Sequence, residues 1–148
     1  MGNKEILTRM EQAIIEGNKA TAEALAEEAV EKKMDLTEVI EKGYVPGIQK
    51  VGEMWEKGEY FLPELITSAE CMKAAMEVLR PELEKAQIST KSLGRVIIGT
   101  VEGDIHDIGK NLVASMLSAN GFEIVDLGAD VKLEKFIERA VEEKADFI

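Results

Sequence analysis

Val96-Ile97-Ile98-Gly99-Thr100-Val101-Glu102-Gly103-Asp104-Ile105-His106-Asp107-Ile108-Gly109-Lys110-Asn111 decides the fold of the chain's second half. A short apolar run stops at a glycine-spaced acidic turn, and an amphipathic segment follows at once. That pattern is a strand, a loop and a helix, with the chain's one histidine at the carboxyl end of the strand. In open α/β sheets ligands bind at that end. A neutral imidazole there can ligate a metal through one nitrogen when a carboxylate holds the proton on the other. Asp104, two residues before His106, is placed to be that carboxylate. Taken alone, one histidine near a strand end is more often an ordinary polar loop residue.

Outward from this stretch, residues 95–101 read as the strand. Residues 108–120 read as a helix with Leu112, Val113, Met116 and Leu117 inward, closed by Gly121. Residues 122–127 read as a second strand, 132–144 as a second helix, and 146–148 as the opening of a third strand. Strand–helix–strand alternation implies parallel pairing with right-handed crossovers. The chain stops inside that third strand, so the sheet is expected to have an open edge and the sequence to be a fragment or to lack a tail.

Toward the other end the period changes. Up to about Ala86 apolar residues recur at three- and four-residue spacing, the signature of amphipathic helices. Ile6, Met10, Ala13 and Ile14 form one stripe, and Ala22, Leu25, Ala26, Ala29 and Val30 a second. Asp35 with Glu38 resembles a capping box for a third helix, which must bend or restart near Pro46 and ends around Gly58. Pro63 suits the first turn of a fourth, with Leu65, Ile66, Ala69, Met72, Met76, Leu79 and Leu83 inward. Four helices with short connections favour a small bundle. Residues 87–94 carry no stripe and read as a linker.

Composition narrows the partners. The 148 residues carry a net charge of −11, which argues against nucleic acid or an anionic membrane as the main partner. No apolar run approaches the roughly 20 residues that span a bilayer. The first residues lack the features of a signal peptide, so a cytoplasmic location is expected. The one cysteine, Cys71, excludes an internal disulfide and fits a reducing compartment. With no histidine near it in sequence, it reads as a buried, inert thiol. The seven methionines read as core filling.

Familiar sites fit poorly. Between Gly103 and Gly109-Lys110 lie five residues where a Walker A loop has four, and Asn111 stands where that loop carries Ser or Thr. Asp104 and Asp107 would also repel a phosphate. The G-x-G-x-x-G dinucleotide fingerprint is missing, and one His with a distant Cys cannot close a zinc site. Asp104, His106 and Asp107 could at most hold a cation weakly. A single imidazole can, however, be the axial ligand of a metal already held equatorially by a macrocycle.

Here the chain resembles a known family. Gly103-Asp104-Ile105-His106-Asp107-Ile108-Gly109 matches the D-x-H-x-x-G signature of cobalamin-binding domains. Its continuation Lys110-Asn111-Leu112-Val113, and then Gly121-Phe122-Glu123-Ile124-Val125-Asp126-Leu127-Gly128, look like the methyltransferase branch. In the helical half, Val51-Gly52-Glu53-Met54-Trp55-Glu56-Lys57-Gly58-Glu59-Tyr60-Phe61-Leu62-Pro63-Glu64 looks like a cap. Such a cap precedes this domain in cobalamin-dependent methionine synthase and in the small corrinoid proteins of methyltransferase systems. The resemblance covers nearly the whole chain.

The resemblance implies an α/β protein: a helical cap bundle over residues 1–90, then a Rossmann-like, flavodoxin-like parallel-sheet domain over 91–148, truncated after the start of its third strand. It implies cobalamin as cofactor, with His106 as the lower axial cobalt ligand in place of the cofactor's own benzimidazole and Asp104 accepting the other ring proton. Gly103 and Gly109 would let the backbone approach the corrin, beside Ile108 and Asp107. Asp107 reads equally as the N-cap of the following helix. Phe61 and Leu62 resemble the apolar residues that shield the upper, methyl-bearing face, whereas Trp55 reads as plain bundle core. The implied role is a methyl carrier, better described as a subunit than as a complete enzyme. Its cap must move aside for each partner, which makes residues 87–94 a hinge candidate. A substrate-specific methyltransferase would load it, an acceptor methyltransferase would unload it to a thiol or folate, and a reductive activase would restore it. A cobalamin-dependent regulator and a radical mutase subunit remain as alternatives. The regulator lacks a basic DNA-binding module here, and the mutase would normally lack the cap. The serine or threonine that extends the Asp104 hydrogen bond in the family, and the Gly-Gly stretch that receives the nucleotide tail, lie outside residues 1–148.

Overall fold

The stripe Ile6, Met10, Ala13 and Ile14 lies along one face of α1 (Asn3–Ile15), and all four side chains are buried. In this computed structural model, residues 2–86 and 92–148 are described. They fall into two compact units, Met1–Thr90 and Lys91–Ile148. Of the expected linker and hinge, residues 87–91 lie outside the described residues.

In the first unit α2 (Lys19–Glu31) starts at Asn18, whose side chain accepts the Thr21 N–H, and buries Ala22, Leu25, Ala26 and Ala29. The third helical run is one rod. A turn of α-helix, α3 (Leu36–Glu38), widens into a π-helical segment, Val39–Tyr44, and narrows again into α4 (Val45–Glu56). The chain neither stops nor restarts at Pro46, which follows directly on the π-helical segment within the continuous helical run. Asp35 Oδ1 accepts the N–H groups of Thr37 and Glu38, but the Glu38 carboxylate pairs with Lys42 instead, so only half of the capping box forms. Gly47 lets this rod press on α1: a Cβ there would lie 2.7 Å from the Glu11 carbonyl and from Ile14. Tyr44 is fully buried, and its hydroxyl donates to the Ala22 carbonyl at 2.7 Å.

The last helix, α5 (Leu62–Lys85), runs through Pro81 and buries Leu65, Ala69, Met72, Leu79 and Leu83. Its inner face is wider than the stripe predicts, taking in Ser68, Cys71, Ala74 and Ala75, while Ile66 is exposed and Met76 only half-buried. These small residues suit the alanine-lined α2, against which α5 packs. Burial pushes the Cys71 thiol up to about 11, with Glu70 adding to the shift, as expected of an unreactive thiol. Trp55 corrects the sequence reading: it is 47% exposed, so it is not bundle core.

The second unit is a parallel sheet with helices. Strand β1 (Arg95–Ile98) pairs in parallel with β2 (Glu123–Asp126), placing Val96 opposite Ile124 and Ile98 opposite Asp126. Val96 also bridges Phe147 in parallel, so β1 lies between β2 and the start of a third strand. This is the 2-1-3 order of flavodoxin-like sheets. Both strands are shorter than the apolar runs suggest. Beyond Ile98 the chain leaves the ladder and returns for a single bridge, Val101 to Val131. Ile97, Val131 and Phe136 form the core, with Phe136 brought in by α7 (Leu133–Glu142). On α6 (Ile108–Ala119), Leu112, Met116 and Leu117 are half-buried, but Val113 is exposed rather than inward.

Candidate functional site

The loop between β1 and α6 carries Gly103, Asp104, His106 and Asp107, with Ile108 and Gly109 opening the helix. Asp104 turns back on the chain: its Oδ1 accepts the His106 backbone N–H at 2.9 Å and lies 2.7 Å from the ring Nδ1. The first of these bonds, and then the ring, hold the Asp104 carboxyl below its ordinary value. An ionised carboxylate only accepts, so Nδ1 carries the hydrogen, and in the neutral tautomer that this selects the lone pair is on Nε2. The His106 side chain is 93% exposed, which leaves Nε2 open to a ligand.

The loop is braced from behind. Thr100, nearly buried, donates its hydroxyl to the His106 carbonyl at 2.9 Å. Its backbone joins the loop after β2, donating to the Gly128 carbonyl and accepting from the Val131 N–H, each at 2.9 Å. Lys110, in the first turn of α6, lies with its side chain 8% exposed and Nζ 2.6 Å from both oxygens of Asp126. Burial opposes charge on Asp126, but Lys110 and the Gly128 N–H outweigh it and leave the carboxyl below its ordinary value. Lys110 is thus committed to Asp126, and the loop's open side is left with carboxylates, a poor seat for phosphate. Sequence reasoning passed over Thr100, Lys110, Asp126 and Asp130. A hydroxyl inside the apolar run is the only local signal, and it marks Thr100 alone.

The residues present fit a corrinoid. Among the described residues no three His, Cys, Asp or Glu side chains converge on a metal position. That excludes the weak Asp104–His106–Asp107 cation site, and any metal on Nε2 must bring its other ligands with it. Gly103 has φ +85°, so its own turn requires glycine. Gly109 has no such requirement: it is helical, and a Cβ there would meet nothing within 4 Å. Glycine in a helix is costly without a reason, and open space over its backbone is what close approach of a flat ligand needs. Ile105 on the loop and Ile108 at the start of α6 are 79% and 86% exposed, apolar surface open to a ligand. Asp107 stands at the N-cap position of α6, yet its side chain caps no backbone N–H.

Phe61 belongs to the first unit, and the other candidate residues to the second. It precedes α5, 63% exposed, with its N–H donated to the Glu64 carboxylate at 2.9 Å. The neighbouring Tyr60 hydroxyl donates to the Ile15 carbonyl at 2.9 Å, tying the turn to the end of α1. Phe61, Leu62 and Trp55 are all exposed, so none of the three is bundle core.

Comparison with known proteins gives the family. Two family models, each described as a B12 binding domain, match residues 6–80 and 94–148. The chain is 49% identical to trimethylamine corrinoid protein 2 of Methanosarcina acetivorans over 147 residues, covering 99% of this chain and 68% of that protein. In structure it is similar to a chain of the methanol:cobalamin methyltransferase complex of Methanosarcina barkeri. The TM-score is 0.84 and the identity 32%, over 97% of this chain and 55% of the other. The monomethylamine corrinoid protein of Methanosarcina barkeri matches with a TM-score of 0.62 and 42% identity, over 99% of this chain and 68% of that one. The chain thus spans about two thirds of the corrinoid proteins and just over half of the chain from the methanol complex. No described helix is long and apolar enough to cross a membrane. The chain belongs to the corrinoid proteins of methyltransferase systems, with a helical B12-binding unit, a Rossmann-like B12-binding unit and cobalamin as the cofactor.

Proposed function

We propose that the chain forms the corrinoid-binding part of a methyl carrier, with His106 as the lower axial cobalt ligand. The observation that supports it most is the Asp104–His106 pair, which engages Nδ1 of the one histidine and leaves its Nε2 side exposed. Bound cobalamin would supply a cobalt centre that accepts and releases a methyl group. The chain's own residues bind and orient. Asp104 holds the Nδ1 hydrogen, fixing the tautomer and strengthening the imidazole as a donor. Gly109 admits the ring system, and Ile105 and Ile108 offer it apolar surface. Phe61, with Leu62 beside it, is the residue of the helical unit proposed to cover the methyl-bearing face and exclude water.

The proposed partners are a donor-specific methyltransferase, an acceptor methyltransferase and a reductive activase. The names of the relatives favour a methylated amine as donor, with selection made by the partner enzyme. Reconstituting the parent and His106→Ala with methylcobalamin tests the reading by absorption. Ligation predicts a histidine-bound spectrum for the parent and a base-off spectrum for the variant, and identical spectra would refute it.

A further inference from the structure

We infer that Asp130, on the loop after β2, is a positioning residue that sets the Asp104–His106 pair. The inference rests on the reading of His106 as the ligand, although its test needs no cofactor. Asp130 reaches across from a segment 27 residues away, and its Oδ1 accepts the Gly103 N–H at 2.8 Å. Its own N–H donates to the Asp104 carbonyl at 3.0 Å. The two bonds bracket Asp104, one on the residue before it and one on its own carbonyl.

Asp130 makes them from a left-handed backbone, φ +55°, which side-chain-bearing residues adopt at a cost and which Asp and Asn tolerate best. Gly103, its partner, is also left-handed at φ +85°. Asp130 is exposed, so it contributes little to the core. What it does is fix the path of the backbone at Asp104. That path decides whether the carboxylate meets Nδ1, and hence which ring nitrogen stays free. The Thr100 bonds to Gly128 and Val131 hold the same two loops together one step closer to the sheet.

The single histidine makes the test unambiguous. In the full chain, without cobalamin and labelled with 15N-histidine, long-range 1H–15N spectra at a pH where the ring is neutral report the ratio of Nδ1–H to Nε2–H. The parent should favour Nδ1–H, and Asp130→Asn, which keeps an acceptor, should retain that ratio. Asp130→Ala should lower it about three- to tenfold, the loss of one hydrogen bond's worth of bias. Asp130→Gly removes the same side chain while easing the left-handed backbone, so it decides the matter even if the alanine variant does not fold. A parent without bias, a glycine variant with the parent's ratio, or an asparagine variant as impaired as the glycine variant would overturn the inference. Failure of cobalt ligation would appear in the cobalamin-loaded protein, as in the reconstitution with His106→Ala, and not in this cofactor-free ratio.

Discussion

Asp104 Oδ1 serves His106 twice, 2.9 Å from the backbone nitrogen and 2.7 Å from the ring Nδ1. One carboxylate oxygen therefore sets both where the residue lies and which tautomer it presents. Asp104→Asn keeps the shape but removes the charge. It should weaken binding of hydroxocobalamin about 10- to 100-fold, measured by equilibrium titration, with little change in the thermal melt.

Gly109 separates the needs of the protein from those of the ligand. Its backbone is helical and a Cβ would meet nothing within 4 Å, so Gly109→Ala should stabilise the free protein by about 0.5–1 kcal/mol. If the corrin lies against this backbone, the same substitution should lower cobalamin affinity. A melt and a titration on one sample measure both. Equal or tighter binding would remove Gly109 from the site.

Tyr44 gives the helical unit a pH dependence. Burial raises its hydroxyl well above the ordinary value of 10.0. A group whose value rises on folding stabilises fully below its unfolded value, and that contribution is lost as pH climbs toward the folded one. Denaturant midpoints should therefore fall above about pH 10. Tyr44→Phe, which deletes the bond to the Ala22 carbonyl, should cost about 0.5–1.5 kcal/mol at neutral pH and flatten that fall.

What was legible in the sequence was local or periodic. The stripes of α1 and α2 place their buried residues correctly, apart from a half-buried Val30, because a helix buries one face and the spacing follows. Asp104 and His106 are two residues apart, so their meeting needs only a turn. Strand ends were not legible: β1 stops at Ile98 although the apolar run goes on, since pairing ends where the partner chain departs. Asp130 with Gly103 and Lys110 with Asp126, 27 and 16 residues apart, depend on the register of β1 against β2, which no local pattern encodes. Ile66 and Val113 are apolar at stripe positions yet exposed, because a stripe does not say whether anything in the chain covers it.

The most direct measurement uses the fact that the chain has one histidine. Protein labelled with 15N-histidine, loaded with unlabelled cobalamin and reduced by one electron to paramagnetic Co(II), reports its axial nitrogen in the electron paramagnetic resonance spectrum. Ligation by His106 predicts that the superhyperfine triplet of a 14N ligand becomes the doublet of 15N. A triplet unchanged by the label would assign the axial position to the cofactor's own benzimidazole and contradict the central claim.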